Sequence, residues 1–442
     1  MDASQFDWKT YLENYEDLRK GGIDTKDKAY NHWIIHGQKE GRTYKKIYPN
    51  FDWVTYVQNY PDLQAAGVNT MEKAYSHWIA YGQREGRTYS KPNYVNNGVN
   101  NNVNVTDNGN GEINIICYVG ETCNSNFNTG IQRVVKLLIK YLDKKCNLQL
   151  VKFDFKESRF IDLTSNDINN LRKFSGADIT NKKLDLTFKN KWFLMPESIV
   201  RPLESSTQKI FIEARRNQMK IVSIFFDDIP YKLNSMFPKE AIDLFMIHLK
   251  SVLTSDLILT ISNYSYGRIL IHSGIYGSNS LILPCPLPEE FPGIPRTFEY
   301  KDLLNNKCNI LCVSTIEPRK NQISLIKAVN SLKDKYNIEL TLVGMVVNES
   351  YYNDVMSLIS LNSNIKLHKI VNDDELRNFY LNANLTVYPS IEEGYGLPIL
   401  ESIWNCRPCI CMNYGSMAEN AIAGCLKIDC NNYVNIANAI EK

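Results

Sequence analysis

Residues 384–401 read NLTVYPSIEEGYGLPILE, and this stretch contains the transition that decides the fold. NLTVYPS is a short apolar run, which is typical of a buried strand. A glycine-rich loop follows it, and a helix is expected from Leu397. A strand, a glycine-rich loop and a helix in this order indicate a parallel sheet that is covered by helices.

The same alternation extends over most of the chain. From Ile113, the apolar runs INIICYV, KIVSIFF and LILTIS alternate with amphipathic segments such as IQRVVKLLIKYL. A proline-rich run at 281–295 interrupts this rhythm, and a second series, NILCVS, ELTLVG, NIKLHKI and NLTVYPS, follows it. The pattern predicts an α/β protein with two doubly wound, Rossmann-like domains, at residues 113–295 and 296–442. Ligands of such sheets bind beyond the carboxyl ends of the strands, so the loops at those ends are candidate sites.

Two copies of one unit precede these domains. Residues 6–44 and 51–89 are closely similar and are offset by 45 residues. Aromatic residues at helical spacing predict a helical hairpin in each copy, so residues 1–90 form a small all-α region. Trp33 and Trp78 are candidates for a sugar-binding face, but aromatic residues in units this short usually build the core. Residues 91–112 are dominated by Asn and Gly and predict a flexible linker.

The composition excludes several classes of protein. The 442 residues carry 50 basic and 48 acidic side chains, which leaves no electrostatic footprint for nucleic acid or an anionic membrane. The 11 cysteines occupy irregular positions and indicate reduced, buried thiols, and Cys406, Cys409 and Cys411 lack the second ligand pair of a zinc site. The chain shows neither a signal-peptide pattern nor a run of about 18 apolar residues. We therefore expect no integral membrane segment, no resident metal and a cytoplasmic location.

A pair of basic residues lies in a second strand-to-helix loop. STIEPRKNQ, residues 314–322, follows NILCVS and precedes the amphipathic run ISLIKAVNSL, which places Arg319 and Lys320 in the loop. Adjacent cations there can hold a diphosphate and neutralise the charge that develops as it departs. A solvated basic turn is the alternative for this motif taken alone.

Two carboxylates flank the glycines of IEEGYGLPILE. Glu393 lies in the loop, and Glu401, eight residues later, lies one turn into the helix expected from Leu397. Gly396 permits close approach of the backbone, and the helix directs its first amide groups at a phosphate. One carboxylate can then reach a ribose and the other a sugar hydroxyl. Each glutamate alone is compatible with a surface charge, whereas their spacing around the glycines is specific.

Several of these segments together resemble one enzyme family. Residues 373–419, DDELRNFYLNANLTVYPSIEEGYGLPILESIWNCRPCICMNYGSMAE, resemble the signature of retaining family 4 glycosyltransferases of the GT-B fold. TIEPRKN resembles the phosphate-binding loop of that family, and NTGIQRVV (128–135), FFDDIP (225–230) and SNYSYGRI (262–269) resemble its N-terminal domain. The resemblance implies two Rossmann-like domains that face a cleft, from about residue 113 to the end of the chain.

The resemblance also implies roles for the matching residues. It makes Arg319 and Lys320 the clamp on the diphosphate and Glu393 the contact to the donor sugar, and these three are the predicted catalytic residues. The predicted donor-binding residues are Glu401 at the ribose, Gly394, Tyr395, Gly396 and Leu397 at the loop and helix start, and Thr129 and Gly130 in the loop after the first strand. The family needs no divalent metal and no cofactor. Its donor is a GDP-, UDP- or dTDP-linked sugar.

The chain departs from the family pattern at a few positions. Asp227 stands where relatives often carry His before Asp228. Both residues are predicted acceptor contacts, with helix capping as the alternative for Asp228. The histidines, His272 among them, show no pattern of partners and are expected to be structural or exposed. Family members usually continue with further helices, so the second domain, which stops at Lys442, is expected to lack its last helices.

These features predict a retaining, metal-independent hexosyltransferase that acts on a glycan or glycoprotein acceptor, with mannosyl- and rhamnosyltransferases as the most similar types. The alternative is a transferase-like domain with weak or no activity, in which the repeats dock a glycan or a protein. A phosphorylase-like enzyme fits less well, because no lysine-bearing cofactor site can be identified. The repeats resemble units that sit beside transferases in bacteria and giant viruses. If the protein is viral, the expected location is the host cytoplasm.

Overall fold

The computed structural model describes residues 6–14, 16–37, 56–57, 63, 68, 71–78, 113–125, 130–173, 179, 182–187, 191–288, 291, 294–300, 302 and 307–442. The chain divides into two compact units, Met1–Thr106 and Asp107–Lys442. The predicted linker at residues 91–112, the predicted donor-binding residue Thr129 and parts of both repeats lie outside the described residues.

The described part of the N-terminal unit is helical. Its helices are α1 (Trp8–Asn14), α2 (Glu16–Lys20), α3 (Lys26–His32), which continues as a π-helical turn (Trp33–Gly37), and α4 (Met71–His77). Phe6, Tyr11, Leu12, Leu18, Ala29 and Trp33 are buried together as a small core. The Tyr11 hydroxyl lies 3.0 Å from His32 Nδ1, and the Tyr56 hydroxyl lies 3.0 Å from His77 Nδ1, one repeat length further on. Trp33 belongs to the core, which favours packing over a sugar-binding face for this residue.

A seven-stranded sheet forms the centre of the first α/β domain. Its strands are β1 (Asn114–Tyr118), β2 (Asn147–Asp154), β3 (Arg159–Ile161), β4 (Lys191–Met195), β5 (Lys220–Phe225), β6 (Leu257–Thr260) and β7 (Leu281–Pro284). The order is β3-β2-β1-β4-β5-β6-β7, and all neighbours are parallel except β2 and β3. The helices of this domain are α5 (Gly120–Asn124), α6 (Gly130–Leu142), α7 (Ser165–Arg172), α8 (Thr207–Arg216), α9 (Ile229–Lys232), α10 (Lys239–Val252) and α11 (Asn263–Tyr276).

The antiparallel strand β3 departs from the predicted parallel sheet. Asp154, at the end of β2, accepts the backbone N–H groups of Lys156 and Glu157 through Oδ1, at 3.0 Å each. Ser158 then adopts a φ of 52°. An Asp side chain that binds the backbone two and three residues on closes a tight turn. The chain therefore returns at once, without the helical crossover that a parallel neighbour requires.

A six-stranded parallel sheet forms the second α/β domain. Its strands are β8 (Lys307–Val313), β9 (Asn337–Val343), β10 (Ile365–His368), β11 (Leu385–Tyr388), β12 (Cys409–Met412) and β13 (Cys425–Ile428), in the order β10-β9-β8-β11-β12-β13. Its helices are α12 (Gln322–Leu332), α13 (Glu349–Ile359), α14 (Asp373–Asn382), α15 (Leu397–Trp404), α16 (Gly415–Asn420) and α17 (Tyr433–Ile440). The prediction of two Rossmann-like sheets is confirmed, because apolar runs separated by amphipathic segments form buried parallel strands with helical crossovers.

Helix α15 and the loop before it pack against both α/β domains. Ile399 belongs to the core of the second domain. Tyr395 and Leu400, by contrast, are buried in the core of the first domain, together with side chains of α6. The Tyr395 hydroxyl donates to the carbonyl oxygen of Leu287 at 2.5 Å. These contacts hold the segment after β11 between the two domains.

In the part of the chain that the structure describes, the thiols and polar side chains show no metal-binding cluster. All 11 cysteines are free, and Cys285 is exposed, so the expectation of buried thiols is wrong for that residue. Among the described residues, His, Cys, Asp and Glu side chains form no group of three that could hold a metal ion. Within the same ranges, no helix has the length and apolar character needed to cross a bilayer.

The assignment of the second core can be tested with a matched pair of variants. Leu325 is fully buried in that core, so Leu325→Ala should lower the free energy of unfolding by about 2–5 kcal/mol. Ile370 is 84% exposed, and Ile370→Ala should change it by less than about 0.5 kcal/mol. Urea unfolding followed by circular dichroism measures both. Equal effects would contradict the placement of Leu325.

Candidate active site

Two loops meet at the carboxyl edge of the second sheet. The basic loop, residues 314–321, follows β8 and contains the 3-10 turn Pro318–Lys320. The glycine loop, residues 389–396, follows β11 and leads into α15. The N–H of Ile391 donates to the carbonyl oxygen of Arg319 at 2.9 Å, which joins the two loops directly. Because β8 and β11 are neighbours in the sheet, loops that are distant in the sequence form one site.

The three predicted catalytic residues come together in these loops. Glu393 Oε1 lies 2.5 Å from Lys320 Nζ and 2.8 Å from Arg319 Nη1. Lys320 and Glu393 are only 8% and 9% exposed, so the contact is shielded from water. Lys320 also donates to the Tyr388 hydroxyl at 3.2 Å, and Arg319 donates to Glu317 Oε1 at 2.9 Å. The two cations and the carboxylate therefore share one buried point.

The charges in this cluster control one another's ionisation. Burial by itself would raise the pKa of Glu393, but Arg319 and Lys320 lower that pKa to about 2. Burial by itself would lower the pKa of Arg319, but Glu393 and Glu317 hold that pKa above its ordinary value. Burial lowers the pKa of Lys320, against the attraction of Glu393. Glu393 is therefore ionised at neutral pH, so it accepts hydrogen bonds and has no proton to donate.

Two glycines determine the shape of the glycine loop. Gly396 adopts a φ of 94° immediately before α15, a conformation that residues with a Cβ rarely adopt. A Cβ added at Gly394 would lie 2.6 Å from the carbonyl oxygen of Phe226 and 3.0 Å from Asp227 Oδ2. The missing side chain at Gly394 thus allows the loop to contact the end of β5 in the first domain.

Helix α6 of the first domain lies beside the start of α15. Gly130, a predicted donor-binding residue, is the first residue of α6, so it begins a helix and does not lie in the loop after the first strand as predicted. A Cβ at Gly130 would lie 3.8 Å from Leu397 Cδ1. The expected helix start at Leu397 is confirmed, with Glu401 one turn further on. The structure thus brings Gly130 next to the other predicted donor-binding residues.

Glu401 has two partners that sequence reasoning missed. Its Oε1 accepts a hydrogen bond from the guanidinium of Arg133 on α6, and its Oε2 accepts one from the Tyr380 hydroxyl at 2.7 Å. Burial, with the nearby Glu401 charge, raises the pKa of Tyr380 well above its ordinary value, so the hydroxyl keeps its proton. Both partners lie in segments that resemble the family. Arg133 could have been identified from the sequence as a site residue, because it lies one helical turn after Gly130, a predicted donor-binding residue.

Asp227 lies just beyond β5, against the glycine loop. Its Oδ1 accepts the N–H of Ile229 at 3.1 Å, and its Oδ2 faces Gly394. Burial raises the pKa of Asp227 to about 6, although the positive charge of Arg319 opposes the shift. This predicted acceptor contact is therefore close enough to Arg319 and Glu393 to interact with their charges.

Asp228 is held inside the first domain. Arg268 Nε donates to both carboxylate oxygens at 3.0 Å, and His272 Nε2 lies 2.8 Å from Oδ2. Asp228 precedes α9 but makes no side-chain capping bond, so the capping alternative is wrong. His272 is fully buried against this carboxylate, which agrees with the structural rather than the exposed alternative for this histidine. Arg268 and His272 are four residues apart on α11 and so lie on one face of that helix, which was the available signal for a shared carboxylate.

Lys232 of the first domain contacts the glycine loop. Lys232 Nζ lies 2.6 Å from Glu392 Oε2 and 2.8 Å from the Tyr414 hydroxyl. Sequence reasoning singled out neither Lys232 nor Glu392, because both resemble ordinary surface charges. Glu392 and Glu401 therefore pair with cations of the first domain, whereas Glu393 pairs with cations of its own domain.

The sequence of the second domain matches a known family. Residues 296–442 match the family model of Glycosyl transferases group 1. This range contains the second sheet, the basic loop and the glycine loop. The O-antigen chain mannosyltransferase B of Escherichia coli is 33% identical over 113 residues, which are 25% of this chain and 29% of that protein. The chain thus matches less than a third of the length of this relative.

Solved structures identify the fold of the two α/β domains. Sucrose-phosphate synthase from Thermosynechococcus elongatus aligns with a TM-score of 0.51 at 12% identity, over 75% of this chain and 89% of that one. HepE from Anabaena, in complex with UDP and glucose, aligns with a TM-score of 0.50 at 14% identity over the same shares. At such identities the likeness shows the fold alone. The fold is GT-B, as the sequence predicts.

Gly394→Ala should disturb the site because the added Cβ would meet the backbone oxygen of Phe226. We expect a lower unfolding temperature, since the glycine loop must shift away from β5. Gly274→Ala is the matched control. Gly274 lies in α11, and apart from this helix no atom of the described residues lies within 4 Å of a Cβ added there, so alanine should be neutral or stabilising. Thermal unfolding and calorimetry test both, and equal behaviour would contradict the close contact at Gly394.

Asp227→Asn should change how stability depends on pH. The pKa of Asp227 in the folded state, about 6, lies above its ordinary value of 3.8, so the folded state binds this proton more tightly than the unfolded state. The stability that this bound proton contributes is complete below about pH 4, and it is lost as pH rises from about 4 to about 6. Asparagine cannot ionise, so the variant should gain stability relative to the wild type from about pH 4 to about pH 6. Thermal unfolding across this range measures the difference, and a flat difference would refute the raised pKa.

Proposed function

We propose that this protein is a glycosyltransferase that moves a sugar from a nucleoside-diphosphate donor to a hydroxyl acceptor with retention of anomeric configuration. The observation that carries the proposal is the buried convergence of Arg319 and Lys320 on Glu393. This convergence lies in loops at the carboxyl edge of a Rossmann-like sheet, where such folds bind nucleotides. The match of residues 296–442 to a glycosyltransferase family supports the same activity.

The proposed reaction uses the two cations at the leaving group. The bond between the anomeric carbon and the diphosphate oxygen breaks, and the acceptor oxygen forms its bond on the same face of the sugar. The acceptor proton passes to an oxygen of the departing phosphate. Arg319 and Lys320 neutralise the charge that develops on the diphosphate, a task that many enzymes give to a divalent metal. Glu393, which is ionised, accepts hydrogen bonds from a sugar hydroxyl and so positions the donor.

The remaining predicted residues bind the donor around this centre. Glu401 accepts the ribose hydroxyls, and the backbone amides of Gly396 and Leu397 bind the phosphates at the start of α15. Gly394, Tyr395, Gly130 and Thr129 complete this site, with Thr129 outside the described residues. The donor is a UDP-, GDP- or dTDP-linked sugar, and mannose is the first sugar to test because a mannosyltransferase is among the relatives. No cofactor takes part.

The acceptor is a glycan or glycoprotein hydroxyl that arrives at Asp227. This residue lies against the glycine loop, and its raised pKa leaves part of the population protonated near pH 6. It can therefore accept or donate a hydrogen bond to a hydroxyl group. Asp228 supports this end of the site from within the first domain, where Arg268 and His272 hold its carboxylate.

The rival function is a binding module in which the transferase domain is weak or inactive and the N-terminal repeats dock a glycan or a protein. A panel of nucleotide sugars, with release of free nucleoside diphosphate as the signal, separates the two. Sugar-dependent release favours the transferase, and binding without release in the presence of candidate acceptors favours the module.

Lys320→Ala should reduce turnover by at least about 100-fold, because the leaving group loses a buried cation that stabilises the transition state. Lys327→Ala is the matched control, since Lys327 is an exposed lysine on α12, and it should retain full activity. Nucleotide release and circular dichroism are measured for both variants. A folded Lys320→Ala protein with normal activity would show that Lys320 takes no part in the mechanism. Glu393→Ala tests Glu393 in the same way, with a strongly reduced rate as the expected result.

A further inference from the structure

The first domain supplies a cation to the carboxylate at which the ribose is proposed to bind. Arg133 contacts Glu401 through its guanidinium, and its side chain is 24% exposed, while that of Glu401 is 11% exposed. The guanidinium carbon of Arg133 also lies 4.9 Å from the centre of the buried Phe291 ring. A cation that stacks on an aromatic ring has a restricted orientation. The orientation of the Arg133 side chain is therefore restricted, unlike that of a solvated surface charge.

Helical geometry brings Arg133 and Glu401 together. Arg133 follows Gly130 by three residues on α6, and Glu401 follows Leu397 by four residues on α15. Each pair lies on one face of its helix, one turn apart. Because Gly130 lies close to Leu397, the next turns of the two helices are also neighbours. The proximity of Gly130 to Leu397 is thus consistent with the contact between Arg133 and Glu401 one turn further on.

The two partners of Glu401 orient its carboxylate. Arg133 donates to Oε1 and the buried Tyr380 hydroxyl donates to Oε2, so each carboxylate oxygen is held by one hydrogen bond. An ionised carboxylate offers about four lone-pair positions, and two of these stay available after the two contacts. One acceptor position thus remains on each carboxylate oxygen, and a carboxylate with two such positions can accept both vicinal hydroxyls of a ribose.

We propose that Arg133 is a positioning residue of the donor site, which holds Glu401 in the orientation that accepts the ribose hydroxyls. This inference rests on the proposed function. Since Arg133 belongs to the first domain and Glu401 to the second, the ribose site is complete only when the two domains are in contact. Closure of the domains and recognition of the ribose are then one event.

The test compares ribonucleotides with 2′-deoxyribonucleotides. Isothermal titration calorimetry of the full chain gives the dissociation constants of UDP, GDP, 2′-deoxy-UDP and 2′-deoxy-GDP. The variants are Arg133→Ala, Arg133→Lys, Glu401→Ala and the double variant Arg133→Ala/Glu401→Ala. Arg215→Ala is the control, because it removes a guanidinium 2.6 Å from Asp256 in the first domain, away from the two loops. Circular dichroism establishes which variants fold.

A positioning role predicts a specific pattern of affinities. Arg133→Ala should weaken ribonucleotide binding by about tenfold, the size expected for a charge-assisted hydrogen bond, and should weaken deoxyribonucleotide binding less. The preference for ribose should fall to that of Glu401→Ala, and the double variant should lose no more. Arg133→Lys keeps the positive charge and should restore part of the preference. Arg215→Ala should bind like the wild type.

Other outcomes overturn the inference in distinguishable ways. An unchanged ribose preference in a folded Arg133 variant would mean that the ion pair between Arg133 and Glu401 has only a structural role. Tighter binding by Arg133→Ala would mean that Arg133 competes with the ribose for Glu401. A wild type that binds ribonucleotides and deoxyribonucleotides equally would remove Glu401 and Arg133 from ribose recognition. Wild-type protein that binds none of these four nucleotides and no dTDP would refute the proposed function itself.

Discussion

The buried contact of Glu393 with Arg319 and Lys320 is the interaction on which the candidate site depends. Removing ions from water costs several kcal/mol for each ion, and close pairing must offset that cost. Glu393 meets this condition with both cations within 2.8 Å. The pairing in turn requires that the loops after β8 and β11 meet, which they do because these strands are neighbours. The order of strands in the sheet therefore creates the site.

The second constraint is the contact between the two α/β domains. Glu392 and Glu401 pair with Lys232 and Arg133 of the first domain, so the segment that carries Glu393 is bound from both sides. Tyr395 and Leu400 add apolar burial in the core of the first domain. Burial of apolar surface supplies most of the attraction between the domains, and the ion pairs specify their relative position. A ligand at Glu393 or Glu401 would thus be bound between two surfaces that recognise each other.

Much of the fold was predictable because its signals are local. Apolar runs identified the central strands, but the proline-rich run that was expected to interrupt the first series begins with β7, the last strand of the first sheet. The antiparallel strand β3 was missed, since its turn depends on one Asp side chain that binds the backbone. For the site, the convergence of Arg319, Lys320 and Glu393 followed from loops at the carboxyl ends of parallel strands. The capping role considered for Asp228 was wrong because its carboxylate binds Arg268 and His272 instead.

The sequence by itself determined the alternation of strands and helices, the glycine that starts α15 and the residue types at the ends of the strands. These properties depend on spacing along the chain, which periodicity and backbone preference encode. Only the tertiary structure decided that Arg133 meets Glu401 and that Lys232 meets Glu392. Such partners lie on separate domains, and their distance depends on how two packed surfaces fit together. No local pattern encodes that fit, because many arrangements of the same helices satisfy the same periodicity.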